Sequence, residues 1–116
     1  MKDIKVIVKE RLMKYVSLCI EFETSKSVNI LDTLFENEIK DKESVLAYLK
    51  SGFDHGILCS AVYDYVLNRS TGDTVHCYCD EEYEWDDREI YHFEHYNMKL
   101  NEKFLNHVRN KKYELK

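Results

Sequence analysis

Proline is absent from this chain of 116 residues, and glycine occurs only at Gly52, Gly56 and Gly72. Collagen repeats, flexible Gly/Ser linkers and proline-rich ligands are therefore excluded, because each of them needs these residues in quantity. A glycine-rich loop that would cradle a nucleotide phosphate is missing as well. At 14.0 kDa, the chain has the size of one compact domain, which we assign to residues 1–116.

Long apolar runs and an excess of basic residues are also lacking. No run approaches the roughly 20 apolar residues that cross a bilayer, and Lys5, Lys9 and Glu10 interrupt any signal-peptide stretch. We therefore predict a cytoplasmic protein without membrane contact. The chain has 17 basic and 22 acidic residues, a net charge of −5, so we expect no nucleic-acid partner, because binding phosphates depends on Lys and Arg.

Four cysteines are present, but they are scattered along the chain at Cys19, Cys59, Cys77 and Cys79. A domain of this size does not need disulfides to hold its core. We therefore expect buried free thiols.

Apolar residues recur at helical spacing in three segments of the N-terminal half. This spacing predicts a helix over residues 9–20 and a second helix over residues 28–39. A short third helix follows, which Asp41 would cap and which the glycine at Gly52 would end.

The middle of the chain, residues 57–79, is rich in β-branched and aromatic side chains. Alternating apolar residues on both sides of a polar stretch predict a β-hairpin, with its turn at residues 68–73 and Gly72 in the left-handed conformation. The first strand is open to two interpretations, because residues 57–67 fit helical spacing as well as strand alternation. An exposed edge of this hairpin would also allow a homodimer.

Two capped helices are predicted after the hairpin. Asp86 or Asp87 would cap the first, which breaks at Asn97, and Asn101 would cap the second. The predicted fold class is therefore α+β, a small antiparallel sheet (the central hairpin) packed against several helices.

The segment of residues 80–89 holds seven acidic side chains around the single tryptophan, Trp85. Clustered carboxylates repel one another, and a cationic partner relieves that repulsion. Tyrosine and tryptophan recur at the energetic centres of protein interfaces. We therefore predict a surface that binds a basic protein. It comprises Asp80, Glu81, Glu82, Tyr83, Glu84, Trp85, Asp86, Asp87 and Tyr91.

A structural alternative exists for the same segment. Tyr83 and Trp85 would pack in the core, while the acidic residues face water and cap the N-terminus of a helix. Both arrangements are compatible with the sequence.

A resemblance to a known group of proteins rests on the size of the chain, its acidity and its C-terminal third. The chain resembles the small acidic immunity proteins of bacterial contact-dependent growth-inhibition and polymorphic-toxin systems. This resemblance implies a cytoplasmic inhibitor that binds the C-terminal domain of a cognate toxin, often a nuclease and expected to be basic, and neutralises it by stoichiometric blocking. The residues that carry it are Arg88-Glu89-Ile90-Tyr91-His92-Phe93 and Lys99-Leu100-Asn101-Glu102-Lys103-Phe104-Leu105.

A small metal-binding or regulatory domain is the main alternative function. Its ligands would be Cys77, Cys79, His92 and His95, which supply thiolates and imidazoles. The C-x₂-C turn that normally wraps a zinc ion is missing, so inward thiols with solvent-facing histidines are the favoured interpretation. We expect no cofactor.

Catalytic pairs of cysteine and histidine are also conceivable from the composition. Cys59 or Cys77 would act as the nucleophile, and His55, His76 or His92 would act as the base. No catalytic motif accompanies these residues, so we expect no enzymatic activity.

Overall fold

The structure is a computed structural model that describes residues 14, 15 and 30–115. Within these residues one sheet has the strand order β1-β4-β3-β2. Strands β2, β3 and β4 pair antiparallel in succession, and β1 runs parallel to β4. The predicted α+β class is confirmed. The strands are β1 (Lys14–Tyr15), β2 (Phe53–Asp64), β3 (Arg69–Cys79) and β4 (Tyr83–Asp86).

Three α-helices accompany the sheet: α1 (Lys42–Lys50), α2 (Asp87–Tyr96) and α3 (Glu102–Asn110). A short 3-10 helix, Ile30–Thr33, precedes them. None of the helices in the described part of the chain is long and apolar enough to cross a membrane.

The core is centred on Trp85 of β4, whose side chain is 1% exposed. Its ring lies 5.9 Å from that of Tyr48 in α1 and 5.6 Å from that of Phe104 in α3, measured between centroids. The indole N–H donates to the carbonyl of Leu49 at 2.8 Å, which satisfies the polar atom of this buried ring. Trp85 therefore joins the sheet to two helices.

Gly52 follows the end of helix α1 and is also needed for the packing around Trp85. Helix α1 ends at Lys50, a basic residue of its last turn, with Ser51 as its C-cap, so the end predicted at residues 50–52 is confirmed. A Cβ atom on Gly52 would lie 2.6 Å from Cζ2 of Trp85 and 2.9 Å from Cβ of Tyr78. A side chain at this position would collide with the indole ring of Trp85 and with the Cβ atom of Tyr78, so only glycine lets the chain pass.

Asp41 occupies the N-cap position of α1, but its side chain makes no capping hydrogen bond. Its carboxylate instead accepts two bonds from the guanidinium of Arg109, at 2.8 and 3.0 Å, and one from the hydroxyl of Tyr113 at 2.7 Å. The hydrogen bonds from Arg109 lower the pKa of Asp41 to about 2, against the effect of partial burial. The prediction of a side-chain cap is corrected because a distant cation binds the same oxygens.

The hairpin is confirmed, and residues 57–64 belong to a strand rather than a helix. Its turn covers residues 65–68, not 68–73. The reason is Asp64, whose carboxylate accepts the N–H groups of Val66 and Leu67 at 2.8 and 2.7 Å and so turns the chain earlier. Gly72 has the predicted left-handed conformation, with φ +88°, although it lies inside β3.

Strand β2 forms the edge of the sheet in the described part of the chain. Phe53, Ile57 and Leu58 are exposed on it. Pairing of this edge with a second copy stays a prediction.

The N-terminal helices differ most from expectation. Of the helix predicted over residues 28–39, only the 3-10 helix Ile30–Thr33 forms. Phe35 takes a left-handed conformation (φ 61°) and donates its N–H to the carbonyl of Tyr96 at 2.7 Å, so the chain turns toward α2 instead of continuing. Of residues 9–20, Lys14 and Tyr15 are strand because they pair with β4, and the others lie outside the described residues.

The two C-terminal helices are capped as predicted. Asp86 accepts the N–H of Arg88 at 2.8 Å, and Glu89 closes the capping box by accepting the N–H of Asp86 at 3.2 Å. Helix α2 ends at the left-handed Asn97. Asn101 caps α3 by accepting an N–H at 2.8 Å. These local hydrogen bonds fix where α2 starts relative to β4.

Candidate functional site

The acidic segment, residues 80–89, does not form one continuous surface. Trp85 and Tyr83 are 1% and 4% exposed, so they are unable to act as the exposed anchors of a binding surface. That part of the prediction is wrong, and the alternative in which both rings pack in the core is confirmed. Asp80 and Asp86 are buried as well, and both carboxylates accept hydrogen bonds from other residues of the fold.

Asp80 is the more deeply integrated of these two residues. Its carboxylate accepts the N–H groups of Glu82 and Tyr83, each at 2.7 Å, and the hydroxyl of Tyr48 at 2.5 Å. Nε2 of His107 lies 2.8 Å from the same carboxylate. Burial raises the pKa of Asp80, but the bond from Tyr48 and the two N–H bonds outweigh it, and the pKa is lowered. Asp80 therefore belongs to the fold and not to a surface.

The outward-facing acids of the segment point to separate places. Glu81 and Glu82 are exposed near the end of α3, where Glu81 lies 3.4 Å from Nζ of Lys111. Glu84 lies 3.3 Å from Nε2 of His55 on β2. The compact acidic patch expected from the sequence is thereby divided.

A cleft of about 470 Å³ opens between strand β3 and helix α2. We call it the β3–α2 cleft. Val62 and Ile90 supply apolar wall, and Lys50 reaches its rim from the end of α1. Its polar lining comes from Asp73, His76 and Tyr78 on β3 and from Asp87, Tyr91 and Glu94 on α2.

Asp87 organises the polar side of the cleft. Its Oδ2 accepts the backbone N–H of His76 at 2.8 Å and lies 3.0 Å from Nδ1 of the same residue. With the carboxylate at Nδ1, the neutral imidazole carries its proton there, and Nε2 becomes a hydrogen-bond acceptor. Burial raises the pKa of Tyr78 to about 12, and the charge of Asp87 and a hydrogen bond to it act in the same direction.

The second tyrosine of the cleft, Tyr91, is fixed by a hydrogen bond to Asp64. Its hydroxyl donates to Asp64 at 2.5 Å, and that hydrogen bond raises the pKa of the phenol. Asp64 also accepts the hydroxyl of Tyr96 at 2.6 Å, so the hairpin turn is tied to α2. The buried carboxylate of Asp64 therefore stabilises this wall of the cleft.

The charge of the cleft is negative. Lys50 lies 3.1 Å from Glu94 and compensates that carboxylate. Within the described residues, Asp73 and Asp87 have no Lys or Arg at ion-pair distance. Asp73, and Asp87 beside the imidazole of His76, thus remain to attract a cation from outside.

Only Asp87 and Tyr91 of the nine predicted partner-binding residues line this cleft. Asp73 and Glu94 were not predicted as site residues, and His76 was considered only as a conceivable catalytic base. A signal for them is present: His76 shares a strand face with Tyr78, and Glu94 follows Asp87 by two helical turns. The sequence did not show that these two faces adjoin.

The four residues of the metal alternative do not converge. Nδ1 of His92 lies 2.8 Å from the carbonyl of Arg88, and Nε2 accepts the N–H of Tyr65 at 3.2 Å, so both ring nitrogens are engaged in the fold. No group of three or more His, Cys, Asp or Glu side chains in the described ranges is arranged to hold a metal ion. The hypothesis with Cys77, Cys79, His92 and His95 gains no support.

The thiols differ from expectation in the same region. Cys59 is exposed and Cys77 and Cys79 are half-buried, so buried thiols are wrong for Cys59, and Cys19 lies outside the described residues. Burial is the largest cause that raises the pKa of Cys77, which makes its thiolate rarer. The conceivable bases His55 and His76 lie beside Glu84 and Asp87.

Comparisons with known proteins were made for the whole chain. It matches no family model, no curated protein and no solved structure. The chemistry of the β3–α2 cleft is therefore the basis for assigning a function.

Proposed function

We propose that this protein is a cytoplasmic binding protein of the immunity type, which neutralises a cognate basic toxin domain by stoichiometric blocking. The observation that carries the proposal is the β3–α2 cleft, where Asp73 and Asp87, two carboxylates with no Lys or Arg partner among the described residues, stand beside two tyrosines. Acidic and aromatic groups in one concavity are suited to a cationic protein surface.

The walls of the cleft are preorganised for binding. Strand β3 pairs on both sides, and α2 is capped by Asp86 at its start and by the left-handed Asn97 at its end. Such walls lose little conformational entropy when a partner docks, so more of the interaction free energy appears as affinity. The site therefore resembles a rigid receptor for one partner surface.

The charge of the whole chain supports rapid association. Its net charge of −5 attracts a basic domain at long range, which raises the association rate at low ionic strength. Salt screens this attraction, so the association rate should fall as ionic strength rises. In this proposal the His76–Asp87 pair serves binding, with Nε2 as an acceptor for a donor on the partner.

The test is affinity capture from the source bacterium with three tagged proteins. These are the wild type, a cleft variant (Asp73→Asn with Glu94→Gln) and a control variant (Glu36→Gln with Glu114→Gln). Both variants remove two negative charges, but Glu36 and Glu114 are exposed residues that do not line the cleft. Each captured protein is then produced alone and together with the wild type.

The expected result is a basic protein that the wild type and the control retain equally and the cleft variant retains at least about tenfold less. Produced alone, it should arrest growth, and co-production of the wild type should restore growth. Equal retention by all three proteins would move the interface away from the cleft. A captured protein without toxicity would refute the immunity function.

A further inference from the structure

We propose that the β3–α2 cleft takes an arginine side chain of the partner, whose guanidinium is bound by Asp73 and Asp87. This inference rests on the proposed function and specifies the chemistry of its partner. It follows from the volume of the cleft, its unbalanced charge and the state of its two tyrosines.

The volume of about 470 Å³ exceeds that of a single-ion site and leaves room for a long side chain. Val62 and Ile90 provide apolar wall, which suits the methylene stem of a long basic side chain. The cleft therefore has room and surface for both parts of such a side chain.

The negative charge of the cleft favours the binding of one further cation. Lys50 already compensates Glu94 at 3.1 Å, so an ammonium group is part of the native site. Asp73 and Asp87 then remain as acceptors, together with Nε2 of His76. Acceptors on different walls are matched by a guanidinium, which presents five N–H donors in a planar fork, better than by the compact ammonium of lysine.

The tyrosines favour the same ligand. The hydroxyl of Tyr91 is bound to Asp64 at 2.5 Å, so the part of this side chain that can meet a ligand is its ring. Tyr78 adds a second aromatic side chain to the lining of the cleft. A guanidinium stacks on aromatic rings, and it is less strongly hydrated than an ammonium group.

The experiment titrates the full chain with three small probes, followed by NMR chemical-shift changes at low ionic strength. The probes are Nα-acetyl-arginine amide, Nα-acetyl-lysine amide and Nα-acetyl-citrulline amide, of which citrulline keeps the shape of arginine without its charge. We expect a dissociation constant on the order of millimolar for the arginine probe, binding at least roughly fivefold weaker for lysine, and none for citrulline. The shift changes should centre on His76, Tyr78 and Tyr91.

Two variants locate the binding. Asp73→Asn should weaken the arginine probe by roughly fivefold or more, and because Asp73 is exposed this change should leave the fold intact. Glu36→Gln, which removes one charge elsewhere, should leave binding unchanged. Equal affinity for arginine and lysine, or shift changes that spread evenly over the acidic surface, would overturn the inference.

Two outcomes distinguish a failure of the arginine inference from a failure of the proposed function. Capture of a toxin that depends on Asp73, without binding of the arginine probe, would overturn the arginine inference and leave the inhibitory function standing. Binding of the arginine probe in the cleft, without capture of any toxin, would support the guanidinium site and refute the inhibitory function.

Discussion

Two aspartates only seven positions apart in the chain each accept backbone N–H groups and lie beside a histidine, but in opposite surroundings. Asp80 accepts hydrogen bonds from a tyrosine hydroxyl at 2.5 Å and lies 2.8 Å from a histidine nitrogen, at 3% exposure. Asp87 accepts the backbone N–H of His76 at 2.8 Å and lies 3.0 Å from Nδ1 of the same residue, but it faces an open cleft.

The difference between these aspartates shows that burial, and not the set of partners, decides what the group does. In the core, an aspartate that accepts four bonds holds β4 to α1 and α3, and loss of any acceptor leaves donors without water to replace it. In the cleft, water replaces lost bonds, so the same arrangement costs little and leaves a carboxylate ready for a ligand. Substitutions in the core and in the cleft should therefore differ in their effects on stability.

The largest expected effect is that of Asp80→Ala. It would leave the hydroxyl of Tyr48 and two backbone N–H groups buried without their acceptor, so we expect a loss of about 3–5 kcal/mol in the free energy of unfolding. The matched variant Asp87→Ala should lose about 1 kcal/mol, because its donors reach solvent. Urea unfolding measures both, and equal losses would contradict the distinction between core and cleft.

Gly52→Ala should affect the core and the cleft at the same time. Its Cβ would meet Trp85 at 2.6 Å on the core side and Tyr78 at 2.9 Å on the cleft side. We expect a loss of about 1–3 kcal/mol from overpacking, together with weaker binding in the cleft as Tyr78 moves. The control is Gly72→Ala, which meets no atom within 4 Å and pays only for its left-handed φ of +88°, about 1 kcal/mol. A smaller loss for Gly52→Ala than for the control would exclude the close approach.

Asp64, which ties the hairpin turn to α2, should make the stability of the protein sensitive to acid. Although burial raises the pKa of Asp64, N–H and tyrosine hydrogen bonds lower it to about 2, whereas the unfolded chain protonates this group near 3.8. The stability that Asp64 contributes is therefore complete above pH 3.8 and is lost as the pH falls through about 2. Asp64→Asn should cost roughly 1–2 kcal/mol at pH 7 and make the decline between pH 4 and 2 shallower, as followed by circular dichroism. An unchanged slope in this variant would show that Asp64 does not carry the acid response.

The smallest expected effect on stability is that of Asp73→Asn. This residue is exposed and has no basic partner in the described part of the chain, so its substitution should change the free energy of unfolding by less than about 0.5 kcal/mol. Thermal unfolding measures this directly. A large loss would mean that Asp73 has a structural role, and the reduced binding of its variants would then no longer report on the cleft.

The features that were predictable from the sequence depend on neighbouring residues. Asp86 and Asn101 cap their helices through N–H groups two residues further along, and Gly72 is left-handed as its surroundings suggested. The hairpin was likewise visible as two alternating stretches, although its turn began earlier because Asp64 binds the next N–H groups.

The errors arose where a distant partner competed for the same atoms. Asp41 was expected to cap α1, but Arg109, 68 positions away, binds its carboxylate. Trp85 and Tyr83 looked like surface anchors among acids, and helices α1 and α3 cover Trp85. Neither outcome follows from the spacing of nearby residues.

The α+β class, the caps of the last two helices, the hairpin and the acidic character could be predicted because they depend on local hydrogen bonds, side-chain periodicity and composition. Which carboxylates are buried and which line the cleft depends on how distant elements pack. Two residues of β3 and α2, His76 and Asp87, meet because β3 pairs with β4, which places Cys77 opposite Asp86, and α2 follows β4 directly. That packing is a property of the whole core, and it creates the cleft on which the proposed function depends.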